Sequence, residues 1–124
     1  MIERYTHPEM AALWTDDARY QIWLDIERYA LEGLVKVGKA PAEALQAYNE
    51  KAKFSSERVL EIEREVKHDV IAFLTNVAEY VGPLSRYVHR GMTSSDVVDT
   101  CLAVQMRRAG LLIKRDIEGL MGTL

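Results

Sequence analysis

The sequence predicts an all-α protein, an N-terminal helical domain that leads into the first long helix of a helical bundle. Two observations carry that prediction. Apolar residues recur at three- and four-residue spacing along almost everything after Pro8, and no sustained two-residue alternation bounded by turn dipeptides appears in the 124 residues. No internal repeat or low-complexity tract interrupts the pattern. The expected division puts residues 1–93 in the helical domain and residues 94–124 in the start of a truncated bundle.

Thr15 followed by Asp16 and Asp17 sets a hydroxyl cap and two carboxylates at the positive end of a helix dipole, so a helix is expected to begin there. Trp23, Ile26, Ala30, Leu34 and Val37 form one apolar stripe on it, and Tyr20, Leu24, Leu31 and Val35 form a second. With two faces buried, this helix should lie between neighbours. Gly38 is its expected stop, Pro41 opens a short helix through about Lys53, and Phe54-Ser55-Ser56 supplies a staple and cap for the next. That helix carries Val59, Ile62 and Val66 on one side. Lys67-His68-Asp69 interrupts the periodicity before Val70, Leu74, Val77 and Val81 resume it, which places these three residues at a junction; Gly82-Pro83 closes the following helix.

The last helix is expected from about Ser95 to about Leu120. At 100° per residue its apolar positions, from Val97 and Val98 through Cys101, Met106 and Ile113 to Leu120, cover roughly two-thirds of the circumference. That is too broad for one small domain to bury. It implies a truncated chain or an obligate oligomer, with self-association through residues 95–120.

Composition narrows the function classes. An apolar share of 48% is that of a globular protein, and a formal charge of −3 gives no long-range attraction toward nucleic acid or an anionic membrane. Neither is expected as a partner, so any anion site must be local. The one cysteine, Cys101, can build neither a disulfide framework nor a metal site, which fits a reducing cytoplasm, and no cofactor or metal is expected. The N-terminus lacks the apolar run of a signal peptide, and no stretch approaches the ~18 apolar residues of a membrane span.

Three short segments could furnish chemistry. In His89-Arg90-Gly91-Met92-Thr93-Ser94-Ser95-Asp96, a glycine turn runs through hydroxyls into a helix start, where side-chain and backbone donors could hold a carboxylate or phosphate. Thr93-x-x-Asp96 also spells a capping box, and one hydroxyl can cap while its neighbour faces a ligand. His68, between Lys67 and Asp69, reads as an acid, base or donor, or as a surface histidine at a charged helix end. Arg4-Tyr5 offers a bidentate fork and a ring for phosphate or carboxylate, or a solvated arginine beside a packed tyrosine. His7, before Pro8, is given a structural role. No metal-ligand spacing, phosphate loop or dinucleotide glycine pattern occurs.

A resemblance links these segments. Met1-Ile2-Glu3-Arg4-Tyr5, Pro8-Glu9-Met10, Leu13-Trp14-Thr15-Asp16, Glu61-Ile62-Glu63, Lys67-His68-Asp69-Val70-Ile71-Ala72-Phe73 and Val88 through Thr100 together resemble, in register, the N-terminal part of the adenylosuccinate lyase family. The Thr-Ser-x-Asp-Val stretch alone is shared across the fumarase/aspartase superfamily. Joined to the Arg-Tyr start and the His-Asp segment, it points to the purine enzymes.

The resemblance implies a cofactor-independent β-elimination that releases fumarate from adenylosuccinate and from the succinylated aminoimidazole carboxamide ribotide. It further implies that Arg4 and Tyr5 contact the nucleotide, that Lys67, His68 and Asp69 line the pocket, that Thr93 and Ser94 bind the succinyl end, and that His89 meets the phosphate. Many family members carry Arg where Lys67 stands, so a planar fork is replaced by a point charge. The family's general acid, a histidine in a Thr-His motif, and its base, a serine in a mobile Ser-Ser-x-Met-Pro-x-Lys-x-Asn loop, have no counterpart here. His68 is at most an auxiliary to them, and this stretch alone is expected to be inactive. The family's homotetramers build each site from three subunits around a central helical bundle. Two other readings stand beside this one: another superfamily lyase or cycloisomerase, such as an argininosuccinate lyase, and a stand-alone helical interaction module that docks through the last helix.

Overall fold

The computed structural model describes residues 2–124. Helices α1 (Pro8–Ala12), α2 (Asp16–Lys36), α3 (Ala42–Lys51), α4 (Ser56–Val66), α5 (Asp69–Val81) and α6 (Ser94–Met121) follow one another, with 3-10 turns at Glu3–Tyr5 and Gly82–Tyr87. No strand occurs among the described residues. The all-α expectation holds.

The caps explain why the helices begin and end where they do. Thr15 lies in extended conformation and its hydroxyl accepts the Ala18 N–H at 3.1 Å, satisfying one of the free donors of α2. At the other end Gly38 adopts φ +71, which lets its N–H reach the Val35 carbonyl and the Lys39 N–H reach Leu34, a Schellman closure that a side chain at position 38 would strain. Ser55 caps α4 by accepting the Arg58 N–H. The short helix α3 stops at Lys51, before the expected Lys53, because Ala52 turns extended and lets Phe54 enter the core just ahead of the Ser55 cap.

The core forms where α2 crosses α4 and α5. Tyr20 stacks on Phe73 with ring centroids 5.7 Å apart, Trp23 meets both rings edge-on, and Phe54 completes the cluster against Tyr20. Aromatic pairs of this kind contribute about 0.5–1.5 kcal/mol beyond their buried area. Two buried polar side chains tie elements together: the Tyr48 hydroxyl donates to the Leu24 carbonyl, and Asn76 accepts the Ser55 N–H while donating to Glu79. Asn76 thus ties the start of α4 to α5.

Helix α2 is flanked as its two stripes imply, with α3 and α4 on one part of its surface and α6 on another. Burial departs from the stripes at more than one position. Val37 caps the helix end and is 67% exposed, while Glu27, inside the pattern, is fully buried.

Helix α6 covers α2 with a single narrow face, Val97, Cys101, Gln105 and Ala109. Gln105 donates to the Leu13 carbonyl at 2.7 Å, which fixes α6 against the loop before α2. The rest of its apolar arc has no cover: Leu102, Met106, Ile113, Ile117 and Leu120 are 48–60% exposed. None of the described helices is long and apolar enough to cross a membrane.

Candidate functional site

The junction between α4 and α5 is two residues long. Lys67 takes the left-handed conformation (φ 56) and ends α4, and His68 returns to extended backbone to cap α5. Its Nδ1 accepts the Ile71 N–H at 3.3 Å. A ring nitrogen that accepts from a backbone donor carries no proton, so the proton of the neutral ring sits on Nε2. That nitrogen lies 3.3 Å from the Ser94 hydroxyl. The cap therefore sets the tautomer, and Nε2–H donates to Ser94 Oγ, leaving the serine's own hydrogen free for a ligand.

Ser94 opens α6, where the capping box spelled by Thr93 and Asp96 is formed. The Thr93 N–H donates to Asp96 Oδ2 at 2.9 Å and the Asp96 N–H meets the Thr93 carbonyl at 3.0 Å. Helix geometry gives the N–H groups of Ser94 and Ser95 no preceding carbonyl to meet, so they point out of the positive helix end beside the Ser94 hydroxyl. Cap and donor site coexist. Positions 68 and 94, far apart in sequence, thus meet across the start of two helices.

His89 is held differently. It sits at φ 62 in the turn before α6, with Gly91 at φ +77 completing the reversal. Its Nδ1 approaches Glu27 Oε1 at 2.6 Å, and the Glu27 side chain is fully enclosed while 17% of the His89 side chain remains exposed. Burial pushes the Glu27 carboxyl above the usual carboxylate range, and the contact with His89 opposes the shift. Glu27 Oε2 has no partner among the described residues.

Of the residues singled out from the sequence, Lys67, His68, Asp69, Thr93 and Ser94 are brought to one place by the His68–Ser94 contact and its neighbours in the chain. Lys67 also borders an open groove of about 500 Å³ with Leu60, Glu63 and Arg64. Asp69 begins α5, its carboxylate 3.6 Å from His68 Nδ1. Arg4 lies over the Tyr5 ring at 4.9 Å, Tyr5 being 74% exposed, and among the described residues no hydrogen bond or ion pair joins either to His68 or Ser94. Among the described residues no group of three His, Cys, Asp or Glu side chains could hold a metal ion. Glu27 escaped sequence reasoning, although its position one helical turn from both Trp23 and Leu31, on an otherwise apolar stripe, was the available signal.

The arrangement can do two things chemically. It offers hydroxyl and backbone donors to a carboxylate at the α6 entrance, and it presents an imidazole of fixed tautomer beside them. It lacks a second group placed to take a proton from carbon.

Comparison with known proteins agrees with this picture. The chain is 54% identical over 121 residues to adenylosuccinate lyase of Synechocystis sp., covering 98% of this chain and 28% of that protein. It is 44% identical over 118 residues to adenylosuccinate lyase of Bacillus subtilis, covering 95% of this chain and 27% of that one. The chain therefore spans little more than a quarter of the length of these relatives. Among solved structures, 3-carboxy-cis,cis-muconate lactonizing enzyme from Pseudomonas putida superposes with a TM-score of 0.80 at 27% identity, covering 90% of this chain and 27% of that one. A fumarate lyase from Mesorhizobium sp. BNC1 shares the fold, with a TM-score of 0.79 at 23% identity over 90% of this chain and 27% of that one. A sequence profile described as Lyase matches residues 3–124. With the profile spanning nearly all of the chain, the chain belongs to this lyase family.

Proposed function

We infer that the chain forms the N-terminal part of an adenylosuccinate lyase, which cleaves adenylosuccinate to AMP and fumarate, and the succinylated aminoimidazole carboxamide ribotide to its amide and fumarate. The observation that carries this reading is the contact between His68 Nε2 and Ser94 Oγ, which joins the two sequence segments most characteristic of the family. In the β-elimination a base takes a proton from the succinyl Cβ, the C–N bond breaks as the alkene of fumarate forms, and an acid protonates the departing nitrogen. This chain's part is binding. Thr93 and Ser94, with the free N–H groups of the α6 entrance, hold a succinyl carboxylate, where negative charge builds as the carbanion forms. Lys67, His68 and Asp69 line the pocket, His68 presenting Nε2–H and assisting protonation as an auxiliary. Arg4 and Tyr5 meet the nucleotide, and His89 its phosphate.

The complete enzyme is a homotetramer, and the stretch 94–124 opens its central bundle. Support comes from the apolar side chains of α6 that stay uncovered, Leu102 to Leu120. A site shared among subunits needs no bond from Arg4 or Tyr5 to His68 within one chain, and none is made among the described residues.

The test is to extend the reading frame to the full length of the relatives and to measure fumarate release from adenylosuccinate. The full-length protein should release it, and the 124-residue chain should not. A full-length protein inert toward adenylosuccinate and the succinylated ribotide but active on another fumarate-releasing substrate would overturn the assignment.

A further inference from the structure

Glu27 occupies a place where α2 needs only an apolar residue, one turn from Trp23 and one from Leu31, and it is fully buried. A lone carboxylate in such a place costs stability unless it is paired. Here one oxygen is engaged and the other is orphaned: Oε1 lies 2.6 Å from His89 Nδ1, and Oε2 has no partner. A site built for packing alone would hold a leucine. An ionised carboxylate only accepts, so Nδ1 of His89 must carry the proton. Nε2 lies on the ring edge away from Nδ1, and 17% of the His89 side chain is open to solvent. His89 also sits at φ 62, an uncommon conformation for a residue with a Cβ, and the bond to Glu27 anchors that turn to α2.

We propose that Glu27 is a positioning residue for the anionic end of the substrate: by holding Nδ1 of His89 it fixes the direction of the ring and so turns Nε2 toward the phosphate. This inference rests on the reading of His89 as the phosphate contact. The phosphate is remote from the breaking C–N bond, so Glu27 acts on binding rather than on chemistry.

The experiment compares Glu27→Gln, Glu27→Leu, His89→Ala and the double variant Glu27→Leu/His89→Ala in the full-length lyase, with KM and kcat measured on adenylosuccinate and melting followed in parallel. Glu27→Leu should raise KM roughly tenfold, the size of one weakened charge-assisted hydrogen bond, with kcat nearly unchanged. Glu27→Gln keeps an acceptor oxygen without the charge and should fall between wild type and Glu27→Leu. The double variant should be no worse than His89→Ala alone. Should Glu27→Leu fold poorly, the near-isosteric Glu27→Gln carries the comparison. A damaging His89→Ala beside silent Glu27 variants, or penalties that simply add, would overturn the role of Glu27 while leaving the site intact. A silent His89→Ala would remove the phosphate assignment itself, and this inference with it.

Discussion

Replacing His89 by Ala should produce a loss of stability that grows with pH. The perturbation strands Glu27, whose side chain is fully enclosed and whose only hydrogen-bond partner among the described residues is the imidazole 2.6 Å away. Removing one member of a buried pair and leaving the other charged costs about 3–5 kcal/mol. The carboxyl of Glu27 already lies above the ordinary carboxylate range because of burial, and His89 is what holds it down. Without His89 it rises further. A group whose folded pKa is raised contributes its stability in the protonated state, fully present below the unfolded value near ~4.3, and loses it as pH climbs through the folded value. The variant should therefore fall furthest behind wild type at about pH 8 and recover as the carboxyl protonates toward about pH 5. Urea unfolding followed by circular dichroism at both pH values measures the difference, and Glu27→Leu added to His89→Ala should restore most of the loss at the higher pH. The strain of an alanine at φ 62 adds a part that does not depend on pH, so the slope and not the offset is diagnostic. A deficit below about 1 kcal/mol at pH 8, or one equal at both pH values, would refute the reasoning.

Two further outcomes are expected. In the full-length lyase, Ser94→Ala should weaken substrate use by ~1.5–3 kcal/mol in kcat/KM, because a donor to a carboxylate is lost; unaltered steady-state kinetics would remove Ser94 from the site. The 124-residue chain should self-associate in sedimentation velocity through α6, and Met106→Glu with Ile113→Lys should return it to a monomer, since both side chains stand more than half exposed. A wild-type chain that sediments as a monomer at high concentration would count against that face as an interface.

Most of the fold was legible because its signals are local. Thr15, Gly38 and Ser55 mark helix ends through bonds to residues within a few positions, and the left-handed turn at Lys67 and Gly82-Pro83 broke the periodicity where the helices break. The breadth of apolar residues on α6 likewise announced a surface that this chain does not cover. What the sequence withheld was long-range pairing. Glu27 and His89 are 62 positions apart, and a glutamate on a helix is ordinarily a solvated one, so only its place on an apolar stripe hinted at burial. The contact of His68 with Ser94 depended on where α5 and α6 cross the core, which neither segment reveals alone. What Arg4 and Tyr5 meet is hidden for the same reason, since tertiary packing, not local pattern, decides the surroundings of an exposed N-terminal turn.

The two nitrogens of His68 have separate employments, one capping α5 and one meeting Ser94. Any substitution that deletes the whole ring unmoors the first turn of α5 while it also removes the hand extended toward Ser94, so lost turnover in such a variant conflates a loosened scaffold with a missing proton donor. Asparagine, whose short amide can still accept the Ile71 N–H but ends before Ser94, would separate the two employments within a single residue.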